Sequence, residues 1–268
     1  MKKFSSRFIN DDELEKLKRF LYNNYYKDFK ENYINFFDDK IKIPYYLFSK
    51  IFIRLYTMET PFYKDINHSL GNWNYSEFNQ YIFTLYYGLN KKILKDCHEV
   101  QLYRATKINK NEYDNIIHSS CRIVLTRIFM SFTKNREIAE NFLNFSNQNL
   151  KTILFIINPL TQKNITVTNI DTKELSYFEK EEEEVIFLPF SGFEIINIEE
   201  RGEYTIMHLN YLNKYEKKVI DYIDARSKDR VEDFTKDLLK ESQSSIFKDI
   251  ISDKRIKLIE DYRNKKNV

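Results

Sequence analysis

The sequence predicts an α+β protein in which a helical segment precedes a β-rich core and a second helical segment follows it. Two observations carry that expectation. Apolar residues recur at helical spacing over the first ninety residues and again after residue 213, as in Val231, Phe234, Leu238 and Leu239. Between these stretches lie short apolar runs of strand length, bounded by polar or turn residues. The expected divisions are 1–90, a helical segment packing on the core; 91–212, the core itself; and 213–268, a helical extension.

The elements are expected in the following order. Asn10-Asp11-Asp12-Glu13 makes a capped helix start, with Leu14, Leu17, Phe20 and Leu21 on one stripe behind it. Segments 45–57 and 75–90 are aromatic-rich and helical, with breaks at Pro61 and Gly71. Val100 to Tyr103 alternates as a strand does, and further strands are expected over 123–129, 153–157, 165–167 and 185–188. Short helices are expected near 110–118 and 135–145. The run from Phe193 to Leu209 reads as a hairpin turning at Glu200-Arg201-Gly202-Glu203.

Composition narrows the function classes. The 268 residues are 42% hydrophobic and 31% charged, as in a folded globular protein, and 16% aromatic, so the core should be rich in rings. Abundant Lys and Asn beside scarce Gly and Ala reflect an AT-rich genome before they reflect function. The formal net charge of +3 is spread, with Lys alternating with Asp and Glu, and the basic stripe of a nucleic-acid binder is missing. No apolar run approaches the roughly 18 residues of a membrane span. Met1-Lys2-Lys3-Phe4 has no apolar stretch behind it that would make a secretion signal. The expected location is the cytosol, or a target cell reached without such a signal.

The chemistry is narrowed too. Four glycines, at 71, 88, 192 and 202, are too scattered for a Walker loop or a Rossmann fingerprint. His68, His98, His118 and His208 lack metal-ligand spacing, and Cys97 and Cys121 form neither a metal motif nor a disulfide scaffold. No metal is expected. No GxSxG elbow is present either.

Three features stand out in their order. Leu102-Tyr103-Arg104-Ala105-Thr106 puts an arginine at the end of a short strand. Met130-Ser131-Phe132-Thr133 ends another strand just before a helix. Glu181-Glu182-Glu183-Glu184-Val185-Ile186-Phe187-Leu188-Pro189 is an acidic run entering a buried strand. Singly, these also read as a surface ion pair, a helix cap and a solvated loop. Together, arginine, serine and Glu-x-Glu on successive strands resemble the Arg-Ser-Glu mono-ADP-ribosyltransferases. Further resemblance lies in Tyr56 to Asn67, in Tyr81 to Lys91, and in Glu184 to Pro189 followed by Phe193-Glu194-Ile195, so the likeness spans roughly residues 50 to 212.

The resemblance implies a core of two packed β-sheets, NAD as co-substrate bent across a cleft, and transfer of ADP-ribose to a protein, at arginine. Glu184 would be the catalytic carboxylate, stabilising an oxocarbenium-like transition state as in glycoside hydrolysis. Glu182 would serve the acceptor: a guanidinium with a pKa above about 12 needs a positioned carboxylate before it can attack. Glu182 is expected on the same strand face as Glu184, two residues away. Glu181 and Glu183 form an alternative pair one residue out of register, and position relative to Val185 favours Glu182 and Glu184.

Arg104 would bind NAD phosphate and ribose oxygens, and Ser131 would hold the Glu184 side chain. Thr133 would support the turn. Phe142 stands where relatives place a ring that stacks on nicotinamide, and it also reads as a core aromatic of an amphipathic helix. Some toxin relatives carry an arginine shortly after that ring, and Asn144 and Phe145 stand here instead. Tyr177 and Phe178 fall in the loop that relatives use for target recognition, and equally read as buried rings. The expected partner is a target protein, with no nucleic acid or membrane, and the chain is expected to act as a monomeric toxin or effector. An NAD glycohydrolase, a transferase with another acceptor and an inactive interaction protein are the alternatives.

Overall fold

The computed structural model describes residues 16, 18–25, 45–58, 60–72, 74, 78, 81–82, 85–86, 88–89, 100–118, 122–143, 149–159, 167–170, 175–177, 183–189 and 191–212. The capped start at Asn10 to Glu13, both cysteines and the helical extension 213–268 lie outside these residues. The chain divides into two compact units, with the described residues up to Gly88 in one and those from Leu89 in the other.

In the first unit, residues 18–25 are helical and α1 (Tyr45–Thr57) and α2 (Pro61–Gly71) follow. The sequence marks Pro61 as a break, but it begins a helix. Proline suits the first helical position because its missing N–H would have had no intrahelical partner there. Helical spacing then puts Phe62, Ile66 and Leu70 on the buried side of α2. Phe62 sits edge-on to Tyr81 at 4.5 Å and to Tyr25 at 4.8 Å, and the Tyr81 hydroxyl donates to the Phe52 carbonyl at 2.5 Å. These rings bury large areas while their hydroxyls stay satisfied.

The second unit is a mixed sheet built from β1 (Leu102–Asn109), β2 (Ile123–Leu125), β3 (Met130–Thr133), β4 (Leu150–Ile157), β5 (Val167–Asn169), β6 (Glu184–Phe187), β7 (Gly192–Glu200) and β8 (Tyr204–Leu212). The strand order is β2-β7-β8-β4-β1-β3-β6-β5. Strand β1 pairs with β4 along all eight of its residues, which carries it well beyond the expected end at Tyr103. With β3 it shares one pair, Tyr103↔Thr133. At that corner the sheet folds back, because the rings of the β3–β6 pair meet those of β7 and β8, strands to which they are not hydrogen-bonded. Phe187 lies 5.2 Å from Phe193 and 5.7 Å from Tyr211, and Phe132 packs on Phe187 at 5.1 Å. The two expected packed sheets are therefore two halves of one hydrogen-bonded sheet, closed over an aromatic core that also holds Ile153, Phe155, Met207 and Leu209.

Local chemistry explains the ends of the elements. Helix α3 (Lys110–Ile117) is capped by Asn109, whose side chain accepts from the Glu112 N–H at 2.7 Å. Helix α4 (Arg136–Asn141) is capped by Asn135, which accepts from the Glu137 N–H at 3.0 Å. The strand expected over 123–129 stops at Leu125. There the Thr126 N–H donates to the Ser191 carbonyl, and the Thr126 hydroxyl oxygen accepts from the Ser191 N–H at 3.1 Å, pinning the β6–β7 turn. The β7–β8 hairpin turns where expected, with Gly202 at φ +72, a left-handed conformation that glycine adopts without steric cost.

Helix α3 is tied to this hairpin by Tyr113. Its buried hydroxyl donates to the Glu200 carboxylate and lies 3.2 Å from Thr205 Oγ1, which itself donates to Glu200 at 3.0 Å. Burial, and then the bond to Glu200, raise the phenol above its ordinary pKa of 10.0. A raised pKa means that the fold favours the neutral phenol, so this contribution is complete below about pH 10 and is lost as pH rises through the folded value. Tyr113→Phe is expected to lower stability near neutral pH by about 1 kcal/mol. Denaturant melts at rising pH should show the gap between the two proteins narrowing above about pH 10. A gap that widens there would contradict the assignment.

Candidate active site

Strands β3 and β6 pair antiparallel with the register Ser131↔Ile186, Phe132↔Val185 and Thr133↔Glu184. Pleating sends successive side chains to opposite faces. Met130, Phe132, Val185 and Phe187 face the aromatic core, so Ser131, Thr133, Glu184 and Ile186 share the other face. Ser131 and Glu184 are diagonal neighbours on it, a separation that side chains can span. The register therefore selects Glu184 from the run of four glutamates. It is 5% exposed, although carboxylates are almost never so buried without a partner.

Hydrogen-bonding groups from three elements lie around it among the described residues. The Glu184 carbonyl accepts from the Ile170 N–H at 2.9 Å, continuing the pairing of β6 with β5. The Ser176 hydroxyl donates to the Glu184 carboxylate over 3.5 Å. Thr133, opposite Glu184 in the ladder, uses its hydroxyl oxygen to accept from the Asn135 N–H at 3.0 Å, which supports the turn into α4.

Arg104 approaches from β1. The single β1–β3 pair leaves the strands to diverge beyond it, and the Arg104 guanidinium takes up the Ser131 carbonyl at 2.7 Å. Arginine and glutamate are thus both anchored on β3, one at the backbone of Ser131 and the other opposite Thr133. Arg104 is the third residue of its strand, where a position at a strand end was expected.

Alternation along a strand was to place Glu182 on the face of Glu184. That expectation falls outside the described residues, among which β6 begins at Glu184 and Glu183 has φ +45. A left-handed residue breaks the period of two, so alternation says nothing about the residue before it. The Glu183 carbonyl accepts from the Lys134 N–H at 3.3 Å, which holds this conformation against β3. Glu182 itself lies outside the described residues, as do Glu181, Asn144, Phe145 and Phe178. Phe142 is not a core ring: it caps the C-terminus of α4 and is 51% exposed. Tyr177 is half-buried and follows Ser176 directly. Among the described residues no group of three or more His, Cys, Asp or Glu side chains is gathered as metal ligands would be.

Ser176 was not legible in the sequence. A serine eight residues before Glu184 carries no pattern of its own, and only the folded loop brings it to the carboxylate.

The sequence model of the family described as NAD:arginine ADP-ribosyltransferase matches residues 47–217. The chain belongs to that family. It is an NAD-dependent mono-ADP-ribosyltransferase. No curated protein sequence matches it. Among solved structures, the transferase is similar to the ADP-ribosyltransferase HopU1 of Pseudomonas syringae pv. Tomato DC3000, at 18% identity and a TM-score of 0.50, over 75% of this chain and 87% of that one. It is also similar to Vis toxin from Vibrio Splendidus, at 22% identity and a TM-score of 0.47, over 79% and 89% of the two chains. For the eucaryotic mono-ADP-ribosyltransferase ART2.2, solved with NADH, the values are 17%, 0.49, 78% and 90%. The likeness to HopU1 is one of fold.

The left-handed conformation at Glu183 can be tested through stability. Glu183→Val is expected to lower folding stability by about 1–2 kcal/mol, since a β-branched residue fits positive φ poorly. Glu183→Asn should cost nothing, because asparagine visits this region readily. Equal urea midpoints for the two variants would show that the backbone there is not so constrained.

Proposed function

We propose that the transferase attaches ADP-ribose to an arginine side chain of a target protein, with Glu184 as its catalytic carboxylate. The observation that carries this reading is the buried Glu184, diagonal to Ser131 on a strand that Arg104 also grips. Cleaving the bond between nicotinamide and ribose builds positive charge on the sugar. A fixed carboxylate that accepts a hydrogen bond from the ribose 2′-hydroxyl stabilises that charge more in the transition state than in the ground state. A buried site strengthens the effect, because less water screens it.

Arg104 serves the phosphates in this reading. A guanidinium carries five N–H donors, and one goes to the Ser131 carbonyl, which fixes the direction of the fork presented to phosphate oxygens. Ser131 shapes the nicotinamide pocket, and the exposed Phe142 ring offers a flat surface for the base. Glu182 activates the acceptor, and Tyr177 with Phe178 recognises the target. Support for an arginine acceptor comes from the Glu-x-Glu spacing and from the arginine in the name of the matched family. Vis has been solved with agmatine, a compound that carries a guanidinium like the arginine side chain. We further read the protein as a monomeric toxin or effector acting on a protein in the cytosol of a target cell. That part rests on fold-level analogy alone, a transferase core for which the sequence predicts helical segments on either side.

Labelled NAD incubated with the transferase and a cell lysate should mark a protein band, and mass spectrometry should place ADP-ribose on arginine. Folded Glu184→Gln should lose on the order of a hundredfold or more in both transfer and NAD cleavage. Label on another residue type, or free ADP-ribose alone, would replace the arginine reading with a different acceptor or with glycohydrolase activity. Near-normal turnover by Glu184→Gln would remove the mechanism.

A separate check concerns Arg104. Calorimetry should find NAD affinity lowered about tenfold or more in Arg104→Ala, with Arg104→Lys rescuing it poorly because an ammonium is a point charge and not a planar fork. Unchanged affinity in both variants would exclude Arg104 from NAD binding.

A further inference from the structure

Glu184 is fixed at its backbone by the β3 ladder and by the Ile170 N–H. The direction of its carboxylate, set by what holds the side chain, decides whether it meets the ribose hydroxyl. A misplacement of about 1 Å at a reacting group costs on the order of a hundredfold in rate.

The sequence resemblance assigns Ser131 to hold this carboxylate. A second hydroxyl reaches it in the structure: Ser176 Oγ donates to Glu184 Oε2 over 3.5 Å. Ser176 is 0% exposed and its neighbour Leu175 is 2% exposed, so the hydroxyl is held in a packed setting. A buried hydroxyl that donates to a carboxylate oxygen fixes the direction of that carboxylate, and the low local dielectric strengthens the bond. For two oxygens 3.5 Å is long, and catalytic hydrogen bonds of such length tighten when the reacting group arrives.

We infer that Ser176 is a positioning residue for the transferase reaction, aiming the Glu184 carboxylate from a point eight residues before it in the chain. The inference rests on the reading of Glu184 as the catalytic carboxylate. Ser176 touches neither NAD nor the acceptor in this scheme, so its loss should affect turnover and spare NAD affinity.

The experiment compares Ser176→Ala, Ser176→Thr and Glu184→Gln in nicotinamide release, with kcat and KM for NAD measured beside thermal melts. Ser176→Ala is expected to keep KM within about twofold while kcat falls about tenfold. Ser176→Thr separates positioning from packing. Its additional methyl crowds a fully buried site, so a purely structural role makes Thr worse than Ala in both melting temperature and kcat. A positioning role makes Thr exceed Ala in kcat even while its melting temperature falls, because the hydroxyl is retained. The inference is overturned if Ser176→Ala keeps wild-type kcat while Glu184→Gln is inactive, if KM rises in step with the loss, or if Thr turns over no faster than Ala. Full turnover by Glu184→Gln would instead overturn the underlying reading of Glu184, and the inference with it.

Discussion

The hydrogen bond from Arg104 to the Ser131 carbonyl sits at the point where the sheet changes direction. Strands β1 and β3 share the single pair Tyr103↔Thr133, and beyond it the β3–β6–β5 half turns away to pack over β7 and β8. Such a corner leaves strand carbonyls without ladder partners, and a backbone acceptor out of reach of water is costly to leave unpaired. A guanidinium is suited to the position. It is charged at every working pH and long enough to cross a widening gap, and it keeps donors for other acceptors after one is used. The same side chain thereby closes the corner and stands beside the strand that carries Ser131.

Phenylalanine packing decides which face of that strand serves the chemistry. Phe132 and Phe187 are drawn into the ring cluster with Phe193 and Tyr211, and a strand has only two faces. Once those rings are inside, Ser131, Thr133 and Glu184 must stand on the other side. A slip of one residue would turn Glu184 and Ile186 in among the rings and put Val185 and Phe187 on the other face. Apolar burial of the core residues thus selects one carboxylate among four adjacent glutamates, although none of these core rings need touch the substrate.

The transition into this strand is sharper than a continuous β-run. Glu183 in the left-handed region, with its carbonyl held by the Lys134 N–H, ends the extended geometry one residue before Glu184. Strain of this kind persists where the surroundings over-determine the backbone. Here the determinants are the β3 ladder on one side and the Ile170 N–H on the other. Ser176 then reaches Glu184 from a loop whose next residue, Tyr177, belongs to the segment read as target-recognising, so the carboxylate and that segment are neighbours along the chain.

The α+β class, the helix near 110–118, the β7–β8 hairpin and its turn at Gly202 were legible in the sequence. So were Arg104, Ser131 and Glu184 as a set, although as a set only through a resemblance, since no spacing along the chain links residues 104, 131 and 184. These features depend on neighbours: capping side chains, a glycine at positive φ, apolar alternation over a few residues. Other features depend on strands distant in sequence. The full length of β1 follows from its eight-residue pairing with β4, and the early end of β2 follows from the Thr126–Ser191 bonds. The departure from alternation at Glu183 and the approach of Ser176 to Glu184 belong to this second kind. Local preference is written in a few adjacent residues, whereas ladder length, corner position and the partner of a buried carboxylate are set by which distant surfaces exclude water together, and that is decided when the sheet closes.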